Sequence, residues 1–264
     1  MVRARKVLII MKVILAAVLL AFVVSAAQLH SNSSGTSNDT ESLTNSGSLS
    51  VSLRAQNDAR TLVVSTMSEV TTDHPTYQIV HEAYAQLGYD VSLLNMPYAR
   101  SWYESNRGKV IDAELARTDE VTSEDMIRIE VPFHETSATV YTNDPNFSPE
   151  SWEALRGKRI DIIEGTNIIA GRLGDIPFNS VTTMEQGFRR LEHNRSDAFI
   201  VPGDIAEVIF DKMTLNNVYR VSPDLEHWLL YHYINKNHAD LAEPLAREIA
   251  RIVARDNIRL RVQN

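Results

Sequence analysis

The 264-residue chain has no cysteine. That excludes a disulfide scaffold, thiolate zinc sites, a cysteine nucleophile and a lipid-modified cysteine. Also missing are a GxSxG elbow, a P-loop, a GxGxxG turn and an HExxH pair, the short patterns of several catalytic and nucleotide-binding classes. Apart from one segment at the start, no apolar run approaches membrane-spanning length. With 10 Gly, 9 Pro, 44% apolar and 23% charged residues, collagen-like, low-complexity and wholly disordered classes are excluded as well. What remains is a globular chain long enough for one large or two small cores. Its formal charge is −8. Arg3, Arg5, Lys6 and Lys12 face no acid within residues 1–27, so the remainder holds 22 basic and 34 acidic side chains, a net of −12. Such a surface repels phosphate backbones, so no nucleic-acid partner is expected.

The start reads as a cleavable export signal. Basic residues precede an apolar run from Val13 to Val24, and Ser25-Ala26-Ala27 supplies the small-x-small pattern of a signal-peptidase site. Cleavage is expected after Ala27, with Met11 as an alternative start. An uncleaved anchor is the other reading, although Lys12 interrupts the stretch. Residues 28–59 are dominated by Ser, Thr, Asn, Asp and Gly, too polar to offset their ordering entropy, and read as a flexible leader. The expected destination is the periplasm.

From Thr61 the texture changes. TLVVST reads as a strand, and YQIVHEAYAQLG as a helix with Ile79, Val80, Ala83, Tyr84 and Leu87 on one face and Gly88 as its stop. YDVSLLNMP, PYARSWYESNRG and VIDAELA continue as strand, helix and strand. That alternation predicts an α/β fold with a parallel sheet. After an extended stretch at 131–144, the pattern restarts with PESWEALRG as a helix and KRIDIIEG as a strand. Helices are expected from Thr166 and over TTMEQGFRRLEHN, then SDAFIVPG as a strand and DIAEVIFDKM as a helix. NNVYRVSP and WLLYHYINK read as strands, and HADLAEPLAREIARIVARDN as a long final helix. Two similar α/β lobes with a cleft between them are the economical arrangement.

Four segments in this order, PYARSWYESNRGKVIDAELAR, LRGKRIDIIEGT, MEQGFRRLEHNRSDAFIV and LYHYINKNHADLAEPLAREIARIV, resemble the family 3 extracellular solute-binding proteins over residues 60–264. The resemblance implies a two-lobe type II periplasmic-binding-protein-like fold with a central cleft. It places lobe 1 at 60–142 and 219–264, and lobe 2 at 143–218. It also implies capture of a small solute for an inner-membrane ABC permease, by a monomeric chain that needs no cofactor and is not an enzyme. Two of the family's amino-acid anchors are out of place. Twelve residues past Asp112 stands Glu124 rather than arginine, and five past Asp197 stands Pro202, with Asp204 two further on.

The candidate ligand-binding residues follow from these positions. Arg117 and Glu114 end the VIDAELA strand at the carboxyl edge of the sheet, where open α/β folds hold ligands. Arg117 is expected to clamp a carboxylate, which makes a polar, anionic or carboxylate-bearing solute the expected ligand. Its truncation should then cost affinity and little stability; the plainer reading is a surface Glu–Arg pair. Gly165, Thr166 and Asn167 form a strand-to-helix turn that reads either as an anion site or as an ordinary N-cap. Arg100 and Trp102 face either the cleft or, respectively, solvent and core. The eight histidines show no ligand spacing, and no metal site is expected. A dehydratase-like enzyme using Glu114 as general acid or base, and a sensory module, are the alternatives on the same scaffold.

Overall fold

The β-branched run from Arg60 forms strand β1 (Arg60–Met67), whose last four residues are all buried. The computed structural model describes residues 60–260, so the expected signal and leader lie outside the described residues. Helix α1 (Pro75–Gln86) starts with a proline whose fixed φ suits a first turn, and it buries Ile79, Val80, Ala83 and Tyr84 along one side. Gly88, at φ +80°, turns the chain out of it. Strand β2 (Tyr89–Met96) pairs in parallel with β1, with Tyr89 opposite Arg60. Helix α2 (Tyr98–Arg107) ends on Gly108 in the left-handed region. Strand β3 (Ala113–Thr118) then pairs with β1 from the other side. A three-residue strand β4 (Met126–Arg128) and the long β5 (His134–Thr142) follow.

The pattern restarts with β6 (Ile160–Ile163), α3 (Asn167–Leu173), β7 (Phe178–Val181), α4 (Met184–Glu192), β8 (Ala198–Pro202) and α5 (Gly203–Lys212). β6 lies parallel between β7 and β8. The chain returns through β9 (Tyr219–Arg220), β10 (His227–Asn235) and α6 (Ala242–Arg255). Strand order is β2-β1-β3-β10-β5-β8-β6-β7, with β4 on β10 and β9 on β5. The two parallel halves are therefore joined through antiparallel β10 and β5. β5 belongs to both: His134–Ser137 pair with β10, and Ala138–Thr142 with β8.

Period-2 alternation builds the second half's two faces. Tyr141, Ile163, Phe199 and Val201 pack with Phe188 on one side. Val140, Ile160, Ile162 and Ile200 pack with Ile169 and Leu173 on the other. The final helix returns to the first half, where Leu245, Ile249 and Ile252 join the cluster that contains Val80 and Tyr84. Arg255 pairs with Glu82 at the rim of that contact.

Three expected elements come out shorter. PESWEALRG yields a single 3-10 turn (Trp152–Leu155), closed off by Gly157 at φ +81°. NNVYRVSP contributes two paired residues. The final helix begins at Ala242, because the residues before it form a 3-10 stretch (Lys236–Leu241) kinked at His238. β7 was not expected, since three of its four residues are exposed and it carries no alternation to read.

Candidate functional site

A cleft opens between the carboxyl ends of β1 and β3 on one side and the starts of α3 and α5 on the other. Thr66, His74 and Thr118 line it from the first lobe, Thr166 and Asp204 from the second, and Thr136 and Trp228 from the crossing strands. The enclosed space is about 40 Å³, counted for the centres of water molecules, which is room for roughly three waters. Asp204 is the one carboxylate among these described lining residues, and no Lys or Arg is among them. The lobes are tied shut across the opening. Arg172 on α3 donates to Glu120 at 2.7 Å and to Glu226 at 2.8 Å. The Met184 N–H at the start of α4 donates to Glu69 at 3.3 Å. Burial raises the Glu226 pKa, but hydrogen bonds from Arg172 and Trp228 outweigh it and hold the carboxylate below its ordinary value.

Arg117 and Glu114 do not face this space. Both were expected outside the core, and the structure corrects that: each is at most 2% exposed. Alternation alone would put residues three apart on opposite faces of β3. Between paired positions, however, β3 has one residue more than β10, and this bulge brings the two together. Arg117 Nε donates to Glu114 Oε1 at 2.8 Å, and its Nη2 to the Tyr98 carbonyl at 2.6 Å. The guanidinium lies 3.5 Å from the centre of the Tyr98 ring. Glu114 Oε2 accepts from Ser65, Ser101 and Ser105 at 2.8, 2.5 and 3.1 Å. Burial alone would lower the arginine's pKa, but the Glu114 charge beside it holds it above the usual value. Tyr98 lines the cleft and Arg117 does not, so the pair is roofed over.

The turn at Gly165 is a close approach between lobes. Its φ is +90°, and a Cβ there would lie 2.7 Å from the Ala99 Cα on α2. Thr166 lines the cleft, but its hydroxyl donates to the Ile163 carbonyl at 2.6 Å and makes no side-chain cap. Asn167 is exposed and lies with Trp102 in an outer polar hollow of about 230 Å³ at the mouth. Trp102 packs edge-on against Tyr233, 5.4 Å between centroids. Arg100 is exposed and does not line the cleft.

Of the sequence-derived candidates, Thr166 and Asp204 line the cleft. Asp204 Oδ1 accepts from Thr136 Oγ1 at 2.6 Å, while Oδ2 is buried and has no hydrogen-bond partner. His134 Nε2 lies 3.5 Å and His74 Nε2 3.9 Å from that oxygen. The two imidazoles meet edge to face, with centroids 5.7 Å apart. His74 is also the N-cap of α1, and its Nδ1 lies 2.7 Å from Thr76 Oγ1. Desolvation lowers the His74 pKa, partly opposed by Asp204, so the ring is neutral at neutral pH.

No family model matches the chain. An uncharacterized protein of Shewanella oneidensis is 29% identical over 186 residues, 66% of this chain and 69% of that one. Truncated ArgBP from T. maritima, in its arginine-bound form, superposes with a TM-score of 0.61 at 17% identity, covering 76% of this chain and 99% of its own. A histidine kinase sensor domain with similarity to periplasmic binding proteins gives 0.64 at 13% identity, covering 75% and 92%. The amino-acid ABC transporter substrate-binding protein AbpA from Streptococcus pneumoniae, bound to L-arginine, gives 0.61 at 14%, covering 78% and 93%. This is the type II periplasmic-binding-protein fold. In a binding protein of this fold the cleft is the place to look for a ligand, and its polar corner was only partly readable from sequence. Asp204 was marked by its place two residues past the position where the resembled family's amino-acid binders carry an aspartate. His74 and His134 belong to different elements sixty residues apart, and no local spacing joins them.

Proposed function

We propose that this chain is an exported solute-binding protein that closes two lobes over a compact polar solute. The single observation that supports it most is the cleft itself, lined from both lobes and tied shut by Arg172 and Glu69. On this reading the lobes comprise 60–142 with 219–264, and 143–218. They move about β5 and the return segment near 218–223, with hinge closure as the working motion. Residues 1–27 direct export to the periplasm, 28–59 form the leader, and an inner-membrane ABC permease receives the solute from a monomeric binding protein.

An anionic solute finds no support in this geometry. Arg117 is engaged under Tyr98, and the carboxylate of Asp204 faces the cavity. A solute that donates hydrogen bonds, or a cation, suits that field. The enzyme alternative loses its general acid or base as well, since both oxygens of Glu114 are occupied away from the cleft. A sensory role on the same scaffold is kept by the likeness to a kinase sensor domain. A thermal-shift screen against amino acids, amines, sugars and organic acids would find the ligand class. Small-angle scattering should then show a smaller radius at saturation; an unchanged radius with a confirmed ligand overturns the closing-lobe reading.

A further inference from the structure

The polar corner of the cleft has the makings of a metal centre. We propose that His74, His134 and Asp204 bind one first-row divalent transition-metal ion, with a fourth position open to the cavity for water or a donor group of the solute. The proposal rests on reading the cleft as the binding site. One potential ligand atom from each residue lies within 4.8 Å of the other two. The separations of 3.5 and 3.9 Å between the ring nitrogens and Asp204 Oδ2 exceed hydrogen-bond length, for which about 2.7–3.2 Å is normal. They are close to the roughly 3.4 Å edge of a tetrahedron of nitrogen and oxygen ligands around zinc.

The second, independent observation is the orphaned oxygen. Asp204 Oδ2 is buried without a hydrogen-bond partner, a costly condition for a carboxylate unless a cation meets it. Its other oxygen is already held by Thr136, and Nδ1 of His74 is held by Thr76. Such outer hydrogen bonds are what orient ligands in metal sites. Nδ1 also accepts the Thr76 N–H at 3.3 Å as the N-cap of α1, so binding a metal at Nε2 would move the ring proton to Nδ1, toward the Thr76 hydroxyl. The groups are largely shielded, with side-chain exposures of 13% for His74, 23% for His134 and 15% for Asp204. Two imidazoles and a carboxylate suit zinc, cobalt or nickel better than magnesium or calcium, which favour oxygen ligands. Because Asp204 starts α5 on the second lobe and His74 precedes α1 on the first, the ion would bridge the closed form.

The test is calorimetric titration of zinc into the chelator-treated full chain. One equivalent should bind, and an excess of magnesium should not displace it. The double variant His74→Gln/His134→Gln should bind at least about 100-fold more weakly, and Asp204→Asn at least about 10-fold, with circular dichroism confirming that both remain folded. His193→Gln, at an exposed histidine outside the cleft, should bind as the parent does. Absent zinc binding, unchanged affinity in the double variant, or an equal loss in His193→Gln overturns the site. The solute reading is scored separately, by scattering on metal-free protein. An amine or amino acid that shrinks the radius while zinc does not bind would sink the metal site and leave solute binding standing. Zinc binding with no solute response would support the metal site and count against solute capture.

Discussion

Two acidic residues, Glu114 fully buried and Asp204 largely shielded at the cleft, end in opposite conditions. Around Glu114 everything is matched: three serine hydroxyls reach one oxygen, Arg117 the other, and a tyrosine ring covers the guanidinium. Around Asp204 one oxygen is matched, and the other has no hydrogen-bond partner, with the nearest ring nitrogens of His134 and His74 3.5 and 3.9 Å away. Complete pairing leaves no reason for a ligand to enter. Incomplete pairing beside a cavity does. A buried charge is therefore a poor guide to a binding site until its partners have been counted.

The sharpest way to break that comparison is Arg117→Ala. With Glu114 left charged and unpaired in the core, unfolding free energy should fall by about 3–5 kcal/mol. Urea denaturation showing a loss below about 1 kcal/mol would return Arg117 to the role of a surface or cleft group.

A third sheltered group sharpens it. His232 accepts from the Tyr84 hydroxyl at Nε2 and donates from Nδ1 to the Leu115 carbonyl. Burial pushes its pKa down to about 4. The unfolded chain takes up a proton near pH 6.5 that the folded chain refuses, so the penalty is absent above that pH and grows as pH falls. It levels off below about 4, having reached roughly 3 kcal/mol. The difference in unfolding free energy between the parent and His232→Gln, followed from pH 7 to 4, should show this slope; a flat difference would contradict it.

Asp204→Asn should behave unlike Arg117→Ala. In metal-free protein the amide keeps the Thr136 hydrogen bond and removes an orphaned charge, so stability should move by no more than about 1 kcal/mol, in the favourable direction. A loss above about 2 kcal/mol in the same denaturation experiment would show that the carboxylate is matched after all. Arg172→Ala carries the smallest expected energy, below about 1 kcal/mol, because its partners are partly exposed. Its readout is scattering: the radius of the ligand-free protein should increase as the shut form loses a tie.

Legibility followed range. The alternation of strands and helices was readable because its signals are local. Gly88 and Gly108 punctuate the first half where the structure ends its helices, whereas the first helix starts at Pro75, two residues before the expected YQIVHEAYAQLG. The PESWEALRG segment misled because it has helical residues but too few of them between Pro149 and Gly157. Arg117 was misplaced for a different reason. Its direction depends on a bulge in β3, defined only by the register against β10, more than a hundred residues away. The histidine corner is of the same kind, since its members meet only when three separate elements are assembled.

Gly165 sets the stop against which the molecule shuts. With its α-carbon passing so near Ala99 that no side chain fits between them, the end of travel is backbone against backbone, a hard limit rather than a cushion of rotating groups. A single methyl at this position would act as a doorstop. At φ +90° the added Cβ would also strain the Gly165 turn itself, so the pair would rest ajar with the second lobe carrying that strain. The open form would then persist even with ligand present, while every cleft-lining residue keeps its identity.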